Sequence, residues 1–125
     1  MKLIAVDGFT FVFDPPSVGG SVTLTGIPSL TSSINGNGIC KDGFSFTVTG
    51  VFTPTATIPD PAVYSGEFNA TSEKVTVDGD PPLRVEDESG SITATPETPG
   101  VPPVPSPTTF KLVIVNPNQI TTECN

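Results

Sequence analysis

The sequence predicts an all-β fold, a small compact single domain of short strands and hairpins with a proline-rich internal loop. Three observations lead there. Runs such as Phe44-Ser45-Phe46-Thr47-Val48-Thr49 alternate apolar and hydroxyl side chains, the period of two that lays one face of a strand on a core. Fifteen Pro and twelve Gly interrupt the chain too often for a helix to extend, so essentially no helix is expected. The length of 125 residues suits one modest core, so residues 1–125 are read as one domain.

The elements follow in order. Lys2 to Phe13 holds LIAV and then FTFVF around Asp7-Gly8, a dipeptide suited to a tight hairpin turn, and Asp14-Pro15-Pro16 stops the second run. Ser21 to Gly26 reads as a half-buried strand with Val22 and Leu24 on one face. From Leu30 the pairs Asn35-Gly36, Asn37-Gly38 and Asp42-Gly43 predict a tight loop containing Cys40. Phe44 to Gly50 is the clearest strand. Pro54 to Pro61, with three prolines, is an irregular or edge segment, and Tyr64 to Thr71 follows as a strand.

Lys74 to Val85 reads as a hairpin turning at Asp78-Gly79, and Ser91 to Thr95 as one more short strand. Residues 96–107 carry six prolines in twelve positions, which predicts an extended polyproline-like loop. Because Phe110 to Val115 then resumes a strongly apolar strand, that loop is internal.

The chemistry is narrower than the fold. Without histidine the chain has no Ser-His-Asp or Cys-His arrangement, and it has no phosphate-binding glycine loop. These observations predict no enzyme activity and no cofactor. A net charge of −8 with five cations argues against nucleic acid and against an anionic membrane surface. The opening MKLIAVDGF has too short an apolar run for a leader or a membrane span, which predicts cytoplasmic synthesis without a signal peptide and no stable membrane anchoring.

Asp78, Asp80, Glu86, Asp87 and Glu88 form an acidic cluster that could offer oxygen ligands to Ca²⁺, but their spacing is not an EF-hand, and turn shaping with a solvated bend is the stronger reading. The eight Phe read as core, and Tyr64 is a weak sugar-stacking candidate. Asn69-Ala70-Thr71 fits the glycosylation sequon and is read as a coincidence. Cys40 and Cys124 leave two readings open, a disulfide tying the tail to a loop or two reduced thiols, the second favoured for a cytoplasmic product.

The stretch from Lys74 to Asp87 resembles the K-V-x-V-x-G-x-P-x-L-x-x-x-D pattern of PAAR-like proteins, the tips of contractile injection systems and phage tail spikes. The resemblance is carried by Lys74, Val75, Val77, Gly79, Pro81, Leu83 and Asp87. Upstream, Gly26-Ile27-Pro28-Ser29-Leu30 and Asn37 to Gly43 look like the family's short turn motifs, and Lys111 to Val115 looks like its closing strand.

The resemblance implies a cone-shaped PAAR-like domain, one copy of which caps the blunt end of a trimeric β-helical spike. Such a cap sharpens the spike for membrane puncture, offers effector cargo an anchor and has no enzyme activity. PAAR tips often hold a metal through histidines and a cysteine; with no histidine here, either Cys40 and Cys124 staple the tip instead or the tip lacks a metal. The same strand pattern also suits an alternative, an immunoglobulin-like surface decoration or adhesion module.

Overall fold

The computed structural model describes residues 1–125, and all its regular elements are β-strands. In chain order they are β1 (Lys2–Leu3), β2 (Thr10–Asp14), β3 (Gly19–Leu24), β4 (Ser33–Ile34), β5 (Asn37–Gly38), β6 (Phe44–Phe52) and β7 (Tyr64–Asn69). The remainder are β8 (Glu88–Ser89), β9 (Ile92–Ala94), β10 (Glu97–Thr98), β11 (Val104–Pro105), β12 (Thr108–Asn116) and β13 (Glu123–Cys124).

The main sheet runs β2-β12-β8-β7-β6-β3, entirely antiparallel, with β9 pairing β12 alongside β8. It curls into a nearly closed six-strand barrel. Register shifts between Gly19 and Ser21 and between Ile114 and Asn116 add local twist, which helps a sheet to curl. Where β8 gives way to β9, the Ser89 hydroxyl accepts the Leu112 N–H at 2.9 Å, so the interrupted ladder leaves no orphan donor there.

The alternation read from the sequence decides which side chains enter the barrel. Phe44, Phe46 and Val48 on β6 are buried, as are Phe110, Leu112 and Ile114 on β12, while the intervening residues face outward or stay half-buried. Phe68 sits at the centre, with ring centroids 5.2 Å from Phe46, 5.4 Å from Phe9 and 6.0 Å from Phe11. Gly66 makes room for this cluster, because a Cβ there would stand 2.6 Å from Phe46 Cζ. A second, smaller cluster of Ile4, Val6, Ile39, Val77 and Cys124 lies apart from the barrel core.

Several expected local pairings are replaced by long-range ones. Asp7-Gly8 does form a turn, with Gly8 at φ 91° and the Phe9 N–H donating to Val6 O. Its arms nevertheless separate, β1 pairing with β13 and β2 with β12. Their apolar side chains enter different clusters, Ile4 and Val6 the small one and Phe9 the barrel core.

The Lys74–Val85 hairpin likewise shrinks to its turn. Asp78 (φ 53°) and Gly79 (φ 87°) are both left-handed, the signature of a type I′ turn, and Val77 and Asp80 exchange both backbone hydrogen bonds. The ladder stops after that pair, since Pro81 and Pro82 have no N–H to extend it. The outgoing arm instead runs between two other segments, Leu83 N–H donating to Cys40 O and Leu83 O accepting from Ala5 N–H. Lys74 and Val75 are exposed, and the Glu73 and Lys74 N–H groups reach Asn125 O.

Residues 96–107 contain a two-stranded ribbon rather than the expected polyproline-like loop. In it β10 pairs with β11, Glu97 opposite Pro105 and Thr98 opposite Val104. Ile58 and Glu97 exchange two backbone hydrogen bonds on the ribbon's other side. Prolines are tolerated because a short edge ladder needs few donors, which Ile58, Glu97 and Ser106 supply.

Candidate functional site

The densest polar arrangement gathers around Asp78, at the tip of the type I′ turn. Its left-handed φ suits an Asp, and the turn projects the carboxylate toward the loop after β3. Ser29 Oγ donates to Asp78 Oδ2 at 2.6 Å, Thr31 Oγ1 donates to Oδ1 at 2.6 Å, and Lys41 Nζ lies 3.7 Å from Oδ2 and 4.0 Å from Asp80. Ser29 is itself buried and fixed, because its hydroxyl also accepts the Ser32 N–H at 3.0 Å. The Ser29 and Thr31 hydroxyls, aided by the Lys41 charge, hold the Asp78 carboxyl below the usual carboxylate range.

Backbone contacts tie the same segments together. Asp42 N–H donates to Pro81 O, Ser29 N–H donates to Ile39 O, and Gly38 approaches so closely that a Cβ there would stand 2.5 Å from Ser29 O. Gly26 to Leu30, Asn37 to Gly43 and Lys74 to Asp87 therefore converge on one carboxylate. The largest surface depression, about 290 Å³, adjoins this knot and is lined by Thr25 to Ile27 and Lys41 to Ser45.

A second knot closes the same stretch. Asp87 is buried; its Oδ2 accepts the Arg84 N–H at 2.8 Å and its Oδ1 accepts the Thr71 hydroxyl at 2.5 Å. Arg84 is also buried, its Nη2 donating to Thr71 Oγ1 and its Nη1 to Cys124 O, with its Nε unpartnered. The turn between them uses Glu86 at φ 75° and is clamped onto β12, with Glu86 N–H donating to Ile114 O and Ile114 N–H donating to Asp87 O.

The sequence-predicted residues thus divide by role. Val77 and Leu83 are buried, Val77 in the small cluster and Leu83 in the barrel core; Gly79 makes the turn, Pro81 ends the ladder, and Asp87 anchors the second knot. Lys74 and Val75 take no part in either knot. The acidic cluster is dispersed: Asp78 serves the turn, Asp87 is buried, Glu86 pairs with Lys2 and Glu88 with Lys111. No group of three or more Asp, Glu or Cys stands close enough to hold a metal ion.

Cys40 and Cys124 are free and buried in different clusters, so the staple offered by the resemblance is not formed. Burial, with the Asp7 charge adding to it, pushes the Cys40 thiol up to about 12.

Sequence reasoning missed Ser29, Thr31 and Thr71 as partners, because nothing local distinguishes a hydroxyl that meets a carboxylate far along the chain. It also missed Asp60, a buried carboxylate that accepts the Tyr64 hydroxyl, the Thr95 N–H at 2.7 Å and the Ala62 N–H at 2.8 Å. Tyr64 thereby has a structural use for its hydroxyl.

Compared with known proteins, the chain matches no family model, no curated protein and no solved structure.

Proposed function

We propose that this chain is a non-enzymatic structural protein of a contractile injection system or phage-tail baseplate. It caps the tip of a trimeric β-helical spike, one copy per trimer, sharpens the spike for membrane puncture and serves as an anchor for effector cargo. It is made in the cytoplasm and joins the particle or virion baseplate there.

One observation carries the reading. Three of the four stretches that resemble PAAR-like proteins meet at Asp78, through Ser29 of the first, Lys41 of the second and the turn of the third. Their meeting supports the reading, while the fourth stretch, Lys111 to Val115, lies in β12. The pairing of β1 with β13 is in keeping with the reading, since a ladder between these strands resists their fraying.

The test is copy number. Particles purified from the native host through the tagged protein should contain one copy per three spike chains, alongside tube and baseplate proteins, by quantitative mass spectrometry. Many copies per particle, or no spike partner, would overturn the proposal and favour a surface module.

A further inference from the structure

Two Asn-Gly pairs stand side by side in the chain, Asn35-Gly36 and Asn37-Gly38. Asn followed by Gly is open to a spontaneous reaction of the backbone, because glycine has no side chain to keep its nitrogen from the neighbouring amide carbon. The Gly nitrogen gives up its proton to solvent and bonds to the Asn Cγ; the Cγ–Nδ2 bond breaks and ammonia leaves, closing a cyclic imide. Water then opens one C–N bond of the imide. Breaking the bond to Cγ gives aspartate, and breaking the bond to the backbone carbonyl carbon gives isoaspartate. Water is the only co-reactant, and nothing is oxidised or reduced.

The fold treats the two pairs differently. Asn35 (φ 54°) and Gly36 (φ 84°) are the central residues of the turn joining β4 to β5, both left-handed and both exposed. A Cβ on Gly36 would meet nothing within 4 Å, and the Gly36 N–H has no hydrogen-bond partner. The β4-β5 ladder behind this tip consists of Ile34 with Asn37 and Ser33 with Gly38. A ladder so short opens readily at its end, which frees Asn35 to bring Cγ onto the nitrogen.

Asn37 and Gly38 are half-buried within β5 itself. A Cβ on Gly38 would stand 2.5 Å from Ser29 O and 2.9 Å from Pro28 Cβ, and Gly38 O accepts the Asp7 N–H at 2.8 Å. Turning that peptide onto Asn37 Cγ would disturb the approach to Ser29, part Gly38 from Asp7 and undo the pairing with β4. The three Asp-Gly pairs are held as well. Asn118 Nδ2 donates to Asp7 O, the Gly43 N–H donates to Phe68 O at 2.9 Å, and the Asp78 carboxylate is bound by Ser29 and Thr31.

We propose that Asn35 is a site of spontaneous deamidation in the folded protein, with water as the reactant, and that the fold shields Asn37 from the same reaction. The product adds one negative charge to the net −8 and, as isoaspartate, lengthens the backbone within a two-residue turn. Ile34 packs on the small cluster next to this turn, so the change loosens the hairpin; the barrel core, which contains no residue of β4 or β5, stays in place. The reaction needs no partner and is independent of the spike-cap reading.

The test incubates the full folded chain in heavy-oxygen water at mildly alkaline pH, well below its melting temperature, beside a sample in denaturant. Peptide mass spectrometry with fragmentation between Asn35 and Asn37 then locates the heavy oxygen. The folded chain should take it up at Asn35, as a mixture of aspartate and isoaspartate, about tenfold faster than at Asn37 or more, a gap equivalent to at least about 1.4 kcal/mol in local opening. In denaturant the two positions should react at similar rates, since each is an Asn before a Gly.

A smaller gap in the folded chain, a faster Asn37, or no uptake at Asn35 would overturn the proposal. A gap of the same size in denaturant would overturn it too, because the fold would then not be what shields Asn37.

Discussion

Replacing Asp87 with alanine removes an acceptor that two groups bond directly. The Arg84 N–H and the Thr71 hydroxyl lose their bonds of 2.8 and 2.5 Å, and the buried Arg84 guanidinium, which reaches Asp87 through Thr71, loses the anchor of that hydroxyl. Leaving such donors unsatisfied costs about 1–3 kcal/mol each. We therefore expect Asp87→Ala to destabilise the fold by about 2–5 kcal/mol, which in a domain of this size lowers Tm by about 8–20 °C.

Thr71→Val, which removes only the hydroxyl, should cost about 1–2 kcal/mol. Because both changes delete the same hydrogen bond, the double variant should fall short of additivity by about 1 kcal/mol. Urea denaturation of the four proteins gives all these quantities, provided the m-values agree. A loss below about 1 kcal/mol for Asp87→Ala, or strict additivity in the cycle, would refute the account of Asp87 as the organiser of this turn.

Further outcomes follow from the other sites. Asp60 is held below the usual carboxylate range by the Tyr64 hydroxyl first, then by the Thr95 and Ala62 N–H groups. Its stabilisation is present above the unfolded carboxyl pKa of about 3.9 and is lost as pH falls through the lower folded value. Tyr64 is shifted up, chiefly by its bond to Asp60, so its contribution is present below the unfolded phenol pKa of about 10 and is lost as pH rises through the higher folded value. Tyr64→Phe should flatten Tm against pH at both extremes, and an unchanged profile would contradict the pairing.

Cys40, pushed up to about 12, and Cys124, also raised by burial, should resist alkylation at neutral pH in the native protein and react fully in denaturant. Rapid native labelling, or a non-reducing mass lower by two hydrogens, would oppose two buried thiols. Gly79→Val meets no atom within 4 Å and costs only backbone strain at φ 87°, about 1–2 kcal/mol. Gly66→Ala drives a Cβ into the Phe46 ring and should cost about 1–3 kcal/mol. Melts equal to the parent's would refute either.

Strand periodicity and turn chemistry were legible in the sequence because each depends on neighbours along the chain. The alternation of Phe44, Phe46 and Val48 set the inner face of β6, and Asp78-Gly79 set a type I′ turn, since few residues other than Asn, Asp and Gly adopt positive φ readily. The partner of each strand was not legible in the same way. At Asp7-Gly8 and Asp78-Gly79 the turns formed as read, yet their arms paired with segments from the other end of the chain or from the Cys40 loop.

The candidate site follows the same division. Val77, Gly79, Leu83 and Asp87 stood out by their pattern, whereas Ser29, Thr31, Thr71 and Asp60 are ordinary residues until folding supplies their partners. The sequence by itself determined an all-β chain, its turns and which side chains face inward, because these follow from local sterics and a period of two. Tertiary structure alone decided the barrel pairing and the two knots, because each depends on which distant apolar faces bury one another and on which buried polar groups must then be satisfied.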